Sequence, residues 1–402
     1  MPDPDTSPTT LTTLDVHALT PLLFREARPF GNTGDETRAR SLPMPLPSTT
    51  AGFVRSLVGD ALGWNWSDPA TIEKAKAIAV HGALLVRRLA EGPEEVVLTA
   101  PRDAVVYKDE ADVARTMRLF PAPPAEGAGC DLPDDGLWPL SITADAKPER
   151  GYGLWTWTDV MAWLQHGRMD AGFLPTRIAD LSVDERVHVA LDPERQTAQE
   201  GMLFTVEYRS FDQVLHDKEE GTRTPVHWHL RVLAALSGVK NLPERLTSHL
   251  GGERRPVTVQ VRAHQPAWPV PPETLLKALT GTTRVTLTLA TPALFKDGWR
   301  PAWLNSGKTS GTLPDNLRPL AGSVLRSAAV GRAEPVSGWA YEAAQRGPKA
   351  TRLMAPAGSV YFLELARILT REEVLALWMT SLSDLQAESQ DGYGLALWGV
   401  WE

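Results

Sequence analysis

Four arginines near the amino terminus form the pattern in this sequence that best fits a binding chemistry. They lie in "REARPFG" and "ETRAR", shortly before a predicted helix, and are Arg25, Arg28, Arg38 and Arg40. Ser48 or Thr49 is expected to cap that helix, and a helix start and a guanidinium group both favour phosphate. The stretch therefore predicts phosphate contacts, with salt bridges to Glu26, Asp35 and Glu36 as the alternative.

Other segments that suggest catalysis or metal binding fail on spacing. "NSGKTSG" at 305–311 contains Gly-Lys-Thr, but Ala302 stands where a phosphate-binding loop requires its first glycine. His227 and His229 are expected in a helix over 225–237, where residues two apart face different directions. Cys130 is the single cysteine, which excludes a cysteine-based zinc site. We expect no catalytic residue, no metal and no cofactor.

The composition is that of a soluble globular protein long enough for two domains. The chain has 402 residues, of which 43% are hydrophobic and 22% charged, with a net charge of −8. No apolar run approaches the about 20 residues of a membrane span, and no secretory signal is recognisable, so we expect a cytoplasmic protein without membrane contact. The segment 295–352 carries nine Lys or Arg against four Asp or Glu, which predicts a basic face on an acidic body.

Two pairs of similar segments indicate an internal duplication. "LTPLLFREARPF" at 19–30 resembles "ATPALFKDGWRP" at 290–301, and "GMLFTVE" at 201–207 resembles "GSVYFLE" at 358–364. Each half reads as strand, helix, hairpin, helix, strand, which is the ferredoxin-like order. We therefore predict an α+β fold of two ferredoxin-like (RRM-like) βαββαβ domains with insertions.

The predicted domains are 1–265 and 283–402, separated by the proline-rich stretch 265–273, with an insertion at about 64–180 in the first domain. Within this frame, "HVALDPERQTAQEGMLFTVEY" at 188–208 reads as two strands joined by a polar tip. Five helices are expected at 71–79, near 158–166, at 225–237, near 315–329 and at 371–385. Thr370 is the expected N-cap of the last helix.

Four quoted segments together resemble one known family. They are "LTPLLFREARPFG", "PLPSTTAGFVRS", "HVALDPERQTAQEGMLF" and the late pair "VGRAEPVSGWA" and "GPKATRLMAPAGSVYFLE". The resemblance is to the handle-capping RAMP (repeat-associated mysterious protein) subunit of type III-B CRISPR effectors, the Cmr complex. It implies a non-catalytic subunit that binds the 5′ handle of the guide RNA (crRNA). The implied protein neighbours are the large polymerase-like subunit and the first backbone RAMP subunit, and target RNA is contacted indirectly.

The resemblance also implies roles for particular residues. The arginines named above become phosphate contacts, with Ser48 and Thr49 donating at the helix start and Arg55 nearby. The hairpin becomes the RAMP thumb over 188–207, a loop that presses into guide RNA. Its expected RNA contacts are His188, Arg195, Thr197 and Ala198. A second set is expected to contact either RNA or the large subunit, and consists of Gly331, Arg332, Trp339, Lys349 and Arg352.

Two other functions remain open from the residues alone. One is a RAMP-type endoribonuclease that processes crRNA, in which His17 or His188 would act with a nearby Lys or Arg as general acid and base. The other is a protein-only scaffold, which would fit the acidic composition. What copurifies with the chain would discriminate between them, because only the RNA-binding subunit retains a guide with a defined 5′ end.

Overall fold

The structure is a computed structural model that mixes strands and helices. It describes residues 10–27, 37–90, 92–125, 127, 136–167, 172–216, 221–236, 239, 242–262, 268–307, 313–340 and 346–402. About 41% of the chain is strand and about 19% helix, so sheets form most of the core. Among the described helices, none is both long and apolar enough to cross a lipid bilayer.

The described strands and helices follow one another along the chain with these bounds. The strands are β1 (Thr10–Ala18), β2 (Arg38–Ala39), β3 (Ala79–Leu89), β4 (Glu94–Thr99), β5 (Ala104–Lys108), β6 (Ala114–Arg118), β7 (Phe120–Pro121), β8 (Leu140–Ser141), β9 (Leu154–Thr156), β10 (Val183–Leu191), β11 (Ala198–Arg209), β12 (Asp212–His216), β13 (Arg223–Leu236), β14 (Arg245–Leu250), β15 (Arg255–Arg262), β16 (Arg284–Leu289), β17 (Val324–Ala329), β18 (Glu334–Val336), β19 (Trp339–Ala340), β20 (Gly347–Pro348), β21 (Arg352–Met354), β22 (Val360–Glu364) and β23 (Ala396–Val400). The α-helices are α1 (Pro47–Ala61), α2 (Pro69–Lys76), α3 (Trp157–Gln165), α4 (Glu273–Leu279), α5 (Arg371–Leu377) and α6 (Gln386–Asp391).

The chain divides into two compact units, each built from separated segments. Unit 1 comprises Met1–Glu95, Asp180–Ala267 and Pro335–Arg352. Unit 2 comprises Val96–Ala179, Trp268–Glu334 and Leu353–Glu402. The segment 64–180, predicted as an insertion, is thus divided between the two units, and β3 within it is a strand of the main sheet of unit 1.

Unit 1 contains an antiparallel sheet in the order β14-β15-β1-β13-β3, with β12 paired to β13. The helix predicted over 225–237 is wrong, because residues 225–236 lie in the 14-residue strand β13. Most of β13 is buried on both faces, so its apolar residues run together without the alternation that identifies a strand. Helix α1 buries Phe53, Val54 and Leu57, which share one helix face.

A second sheet of unit 1 has the order β10-β11-β2. The hairpin predicted at 188–208 is present, and its strands β10 and β11 extend to Val183 and Arg209. One side of this sheet is anchored by Val206 and Tyr208, which pack with Leu23 and Ala39 in a small buried cluster. The alternation of polar and apolar residues in the sequence was therefore a sound guide to these strands.

Unit 2 contains a four-stranded antiparallel sheet in the order β17-β22-β16-β23. The helix predicted near 315–329 is wrong, since Asp315–Leu320 forms a short 3-10 turn and β17 follows it. Pro319 lies within this turn and cannot donate the hydrogen bond of an α-helix. Helix α5 begins after Thr370 as predicted, with a capping box to Glu373, but it ends at Leu377 instead of 385.

The two sequence similarities differ in structural meaning. Leu22 and Ala293 occupy the same place in the first pair of segments, after β1 and β16, and each forms an isolated antiparallel bridge. In the second pair the segments are not equivalent. "GMLFTVE" lies in β11, which pairs with β10 and β2, whereas "GSVYFLE" lies in β22, an inner strand of the four-stranded sheet. The strand of unit 1 with the neighbours expected for this segment is β13.

Candidate nucleic-acid interface

The tip of the β10–β11 hairpin is a short polar turn that is stabilised by hydrogen bonds within the turn itself. The side chain of Asp192 accepts hydrogen bonds from the backbone N–H groups of Glu194 and Arg195, at 2.9 and 3.0 Å. Three residues predicted to contact RNA are exposed there, namely Arg195, Thr197 and Ala198. The structure therefore brings these three together in a loop with a defined conformation.

One face of the hairpin, which we call the inner face, carries its aromatic residues. The ring of His188 stacks on Phe204, with centroids 5.4 Å apart and planes inclined by 13°. The hydroxyl of Tyr208 lies 3.4 Å from Nε2 of His188. The guanidinium of Arg186 lies 5.1 Å from the centroid of the Tyr208 ring. Aromatic rings next to cations are the combination that binds single-stranded nucleic acid without reading its sequence, but Tyr208 is fully buried, so only the half-buried rings of His188 and Phe204 are accessible to a base.

A strained loop borders the inner face at Tyr208. Glu253 and Arg254 have positive φ angles of 57° and 49°, a region that costs non-glycine residues about 1–3 kcal/mol each. Glu253 is held in place because its carboxylate accepts hydrogen bonds from the Tyr208 hydroxyl at 2.9 Å and from Arg255 at 2.7 Å. Burial, followed by the bond to Glu253, raises the pKa of Tyr208, so this hydroxyl remains a proton donor at neutral pH.

A cleft of about 390 Å³ opens between this loop and the start of α1. Arg25, Thr49 and the glycine pair Gly251 and Gly252 are among its lining residues. Gly251 has a φ of 76°, and a Cβ atom there would lie 2.4 Å from the carbonyl oxygen of Leu23. Sequence reasoning did not find this pair, although a Gly-Gly dipeptide can mark a turn or a close backbone approach.

The start of α1 differs from the expected one. Its N-cap is Leu46, without a side-chain hydrogen bond, and Pro47 is the first helical residue. The expectation that Ser48 or Thr49 caps the helix is therefore wrong by two or three positions, because proline fixes the first turn earlier. Both residues lie in the first turn, and Thr49 borders the cleft.

The predicted arginine cluster is only partly reproduced. Arg25 and Arg40 are exposed and lie on neighbouring segments, because Arg25 forms an isolated antiparallel β-bridge with Ser41. Arg28 lies outside the described residues. Arg38 forms salt bridges with two carboxylates of the hairpin. Its Nε lies 2.6 Å from the carboxylate of Glu207, and its Nη2 contacts the carboxylate of Glu185. Arg55 lies away from the cleft and donates to the carbonyl of Ile78 at 3.0 and 3.2 Å, which ties α1 to the segment before β3.

The second set of predicted contacts is divided between the units. Gly331 and Arg332 belong to unit 2, whereas Trp339, Lys349 and Arg352 belong to unit 1. Trp339 is paired with Pro348 across the two-stranded ladder of β19 and β20. Lys349 is exposed, and its backbone N–H donates to Gly338 at 2.8 Å.

Gly331 has a specific neighbour in unit 2 that sequence reasoning missed. A Cβ atom at Gly331 would lie 2.7 Å from Cγ of Pro356 and 3.2 Å from Nε of Arg102. Arg102 is exposed, so the glycine leaves room for a guanidinium group at the surface beside Arg332.

A buried network of charges crosses the main sheet of unit 1. Arg231 binds Asp15 at 2.7 Å and Glu94 at 2.6 Å, and Arg262 binds Asp15 at 2.6 Å. His229 lies 3.6 Å from the same Asp15 carboxylate. Burial alone would raise the pKa of Asp15, but its contacts with His229 and Arg231 outweigh burial and lower it.

The same network contains three residues that together could ligate a metal ion. Asp15, Glu94 and His229 are close enough to ligate one ion, yet both carboxylates already neutralise guanidinium groups. A cation there would have to displace two arginines, so the arrangement is an ion-pair network. Because β13 is a strand, His227 and His229 face the same side, contrary to the helix expectation. His229 packs against His17, with ring centroids 4.7 Å apart.

Comparisons with known proteins identify the class of the chain. A family model described as CRISPR-associated protein (Cas_Cmr3) matches residues 14–401, which is nearly the whole sequence. The chain is thus a CRISPR-associated protein. More specifically, it belongs to the Cas_Cmr3 family.

Two solved structures resemble the chain at low sequence identity. One is described as a cryo-EM structure of the Type III-B Cmr-beta bound to cognate target RNA. Its sequence is 14% identical to this chain. The match covers 87% of this chain and 86% of that structure's chain, with a TM-score of 0.46. The second is described as a cryo-EM structure of the Type III-B Cmr-beta bound to cognate target RNA and AMPPnP, state 1. Its sequence is 13% identical, and the match covers 90% of this chain and 87% of that structure's chain, with a TM-score of 0.42. A search of curated proteins found no match.

Proposed function

We propose that the chain is a non-catalytic RNA-binding subunit of a type III-B CRISPR effector. In this role it binds the 5′ handle of the crRNA and docks the large polymerase-like subunit onto the first backbone RAMP subunit. The observation that carries the proposal is the family match over residues 14–401. The proposed fold, two ferredoxin-like domains, is supported by the strand orders β15-β1-β13-β3 and β17-β22-β16-β23, which both place the first strand between the fourth and the third.

The proposed RNA site is the inner face of the hairpin together with the cleft beside α1. His188 and Phe204 supply the aromatic surface, and Arg25 supplies a cation at the cleft. Unstacked bases of a single-stranded handle bind such surfaces by stacking, while phosphates meet the exposed arginines. We expect Arg38 to contribute less than Arg25 and Arg40, because a phosphate would first have to displace Glu207 or Glu185.

The proposal assigns no acid–base catalysis to the two candidate histidines. The ring of His188 is held between Phe204 and Tyr208, and the Tyr208 hydroxyl donates to Glu253 at 2.9 Å. Burial, and then the neighbouring His229, lowers the pKa of His17, and its closest ring neighbour is another imidazole. Both arrangements favour packing roles over cleavage of a 2′-hydroxyl site.

Purification of the full chain with the other effector subunits tests the proposal. We expect a ribonucleoprotein whose bound RNA, on sequencing, has one defined 5′ end. A complex without RNA would instead favour the protein-only scaffold. Incubation of the chain with repeat RNA, with and without divalent metal, should leave the RNA intact. Site-specific cleavage that is lost in His17→Ala or His188→Ala would favour the endoribonuclease.

A further inference from the structure

The strained loop, residues 251–255, has three residues with positive φ angles within four positions. Gly251 adopts its φ of 76° without steric cost, whereas Glu253 at 57° and Arg254 at 49° carry Cβ atoms that crowd the backbone there. Such a conformation persists only where contacts hold it, and residues of this kind concentrate at binding sites. The contacts that hold the loop therefore indicate its role.

One carboxylate oxygen holds the strained loop. Oε2 of Glu253 accepts hydrogen bonds from the hydroxyl of Tyr208 at 2.9 Å and from Nη2 of Arg255 at 2.7 Å. The guanidinium of Arg255 also lies over the Tyr208 ring, 4.2 Å from its centroid. Tyr208 belongs to β11 of the hairpin and is fully buried, so it fixes the loop from inside the protein and is not accessible to RNA.

The strained loop lies between the two parts of the proposed RNA site. On the hairpin side, the hydroxyl of Tyr208 lies 3.4 Å from Nε2 of His188 on the inner face. On the other side, Gly251 and Gly252 line the cleft, and the N–H of Gly252 donates to the carbonyl of Leu23 at 2.8 Å. An RNA strand that occupies both the inner face and the cleft therefore passes this loop.

Arg254 is the cation that the strained loop exposes. Its guanidinium takes part in none of the ion pairs between described residues, whereas Arg38, Arg186 and Arg255 nearby are each bound to a carboxylate. A phosphate that meets Arg254 therefore displaces no carboxylate and can use the full donor set of the guanidinium. Sequence reasoning did not single out this arginine.

We propose that Arg254 binds a phosphate of single-stranded RNA between the inner face and the cleft, and that Tyr208 and Glu253 are positioning residues for this contact. The inference rests on the proposed function. It adds an RNA contact, and it couples the hairpin to the strained loop through a buried hydroxyl. Loss of that hydroxyl lowers the fraction of chains whose loop is competent to bind, and the apparent affinity falls by the same fraction.

Salt titrations of RNA binding test the contact at Arg254. The full chain is mixed with single-stranded guide RNA labelled at its 3′ end, and fluorescence anisotropy gives the affinity. Arg254→Ala should flatten the dependence of log affinity on log salt by about 0.7, and Arg254→Lys, which keeps the charge, should not. The matched control is Arg245→Ala, because Arg245 is also exposed but begins β14, five residues before the end of that strand near the loop.

A double-mutant cycle tests the positioning role of Tyr208. Tyr208→Phe removes only the hydroxyl and should lower the affinity about tenfold, since hydrogen bonds to charged groups stabilise by about that factor or more. Combined with Arg254→Ala it should cause no further loss, because both changes act through one contact. The matched control is Tyr361→Phe, which removes an equally buried hydroxyl bonded to the carbonyl of Trp299 at 2.5 Å and should leave RNA binding unchanged.

Two changes at the exposed Glu253 separate positioning from charge and do not depend on the stability of Tyr208→Phe. By charge alone, Glu253→Gln and Glu253→Ala should both strengthen RNA binding, because each removes a carboxylate next to Arg254. Glutamine still offers an oxygen to Tyr208, whereas alanine does not. We therefore expect Glu253→Gln to bind RNA at least as tightly as wild type, and Glu253→Ala to bind about tenfold more weakly than Glu253→Gln.

The outcomes separate this inference from the proposed function. Arg254→Ala that binds RNA like Arg245→Ala overturns the contact. Additive effects of Tyr208→Phe and Arg254→Ala, or equal affinities of the two Glu253 variants, overturn the positioning role. In these cases wild type still binds guide RNA and the proposed function stands. A wild-type chain that binds no guide RNA, alone or in the assembled complex, overturns both.

Discussion

Nε of Arg38 lies 2.6 Å from Oε1 of Glu207, and Glu185 binds the same guanidinium from the neighbouring strand. The ion pair joins β2 to the hairpin and occupies the donors that a phosphate would use. Arg25 and Arg40, from the same predicted cluster, are exposed, and Arg25 borders the cleft beside α1. Arginines from one short stretch thus have different surroundings, which their positions in the sequence did not reveal.

The first prediction concerns the salt dependence of RNA binding. Arg25→Ala and Arg40→Ala should each flatten the dependence of log affinity on log salt by about 0.7, the value for one phosphate on a single strand. Arg38→Ala should leave the slope unchanged, because its guanidinium neutralises protein carboxylates. Salt titrations of guide-RNA binding check this with wild type and the three variants in parallel. If Arg38→Ala flattened the slope as much as Arg25→Ala, phosphate would have displaced the carboxylates.

The second prediction separates the hairpin tip from the core. Replacing residues 195–199 by a short Gly-Ser turn should leave the melting temperature nearly unchanged, because the tip is exposed and the hydrogen bonds that hold it lie within the turn itself. The same change should disturb the position of the guide RNA in the complex, which nuclease footprinting of the handle measures. A large fall in melting temperature would mean that the tip is packed against the protein.

The third prediction concerns a buried ion pair in unit 2. Nε of Arg118 lies 3.0 Å from Asp103, and their side chains are 4% and 1% exposed. Burial raises the pKa of Asp103 and lowers that of Arg118, so each charge depends on the other. Arg118 also donates to the carbonyl of Trp163 at 2.7 Å. Arg118→Leu should reduce the free energy of unfolding by about 3–5 kcal/mol, since it leaves a buried carboxylate without its counter-charge.

Urea denaturation of the full chain measures this loss. The matched control is Lys108→Ala, which removes the exposed pair with Asp112 in the adjacent hairpin and should change stability little. Equal effects of the two changes would contradict a stabilising role for the buried pair.

The contrast between these features shows what the sequence could and could not predict. The hairpin and the Thr370 cap are local, because alternation and a capping box involve residues a few positions apart. Strand β13 was misread as a helix because burial on both faces removes alternation, and periodicity alone cannot then decide.

The candidate site depends on contacts between distant parts of the chain. Arg38 and Glu207 are 169 positions apart, and Gly251 meets Leu23 across 228 positions, the difference between 251 and 23. No local pattern reports which segments the sheets bring together, so the partners of Arg38 and of Gly251 could not be predicted. The helix start was misplaced for a local reason, because Pro47 fixes the first turn ahead of Ser48.

The fourth prediction concerns pH. Burial lowers the pKa of His81 and of His17 below the ordinary value of 6.5, with His229 adding to the effect at His17. The unfolded chain therefore binds more protons than the folded one as the pH falls below about 6.5, so stability decreases with acidification. Each histidine contributes at most about 1.4 kcal/mol per pH unit in this window. His81→Gln should show a weaker dependence of unfolding free energy on pH between 7 and 5 than wild type. An equal or steeper dependence would mean that His81 is protonated in the folded protein.

The fifth prediction tests Gly331 as a positioning residue for Arg102. A methyl group at Gly331 would lie 2.7 Å from Cγ of Pro356 and 3.2 Å from Nε of Arg102, so the backbone here must shift and the guanidinium must give way by a few tenths of an ångström. Gly331→Ala should therefore weaken guide-RNA binding in the same way as Arg102→Ala, with the salt slope reduced by about 0.7 in both. The control is Gly153→Ala in the same unit, because a Cβ there meets nothing within 4 Å. If Gly331→Ala bound RNA like the control while Arg102→Ala was impaired, the glycine would have no positioning role. If all three bound RNA like wild type but Arg102→Ala released the large subunit, this surface would contact protein, the alternative that the sequence left open.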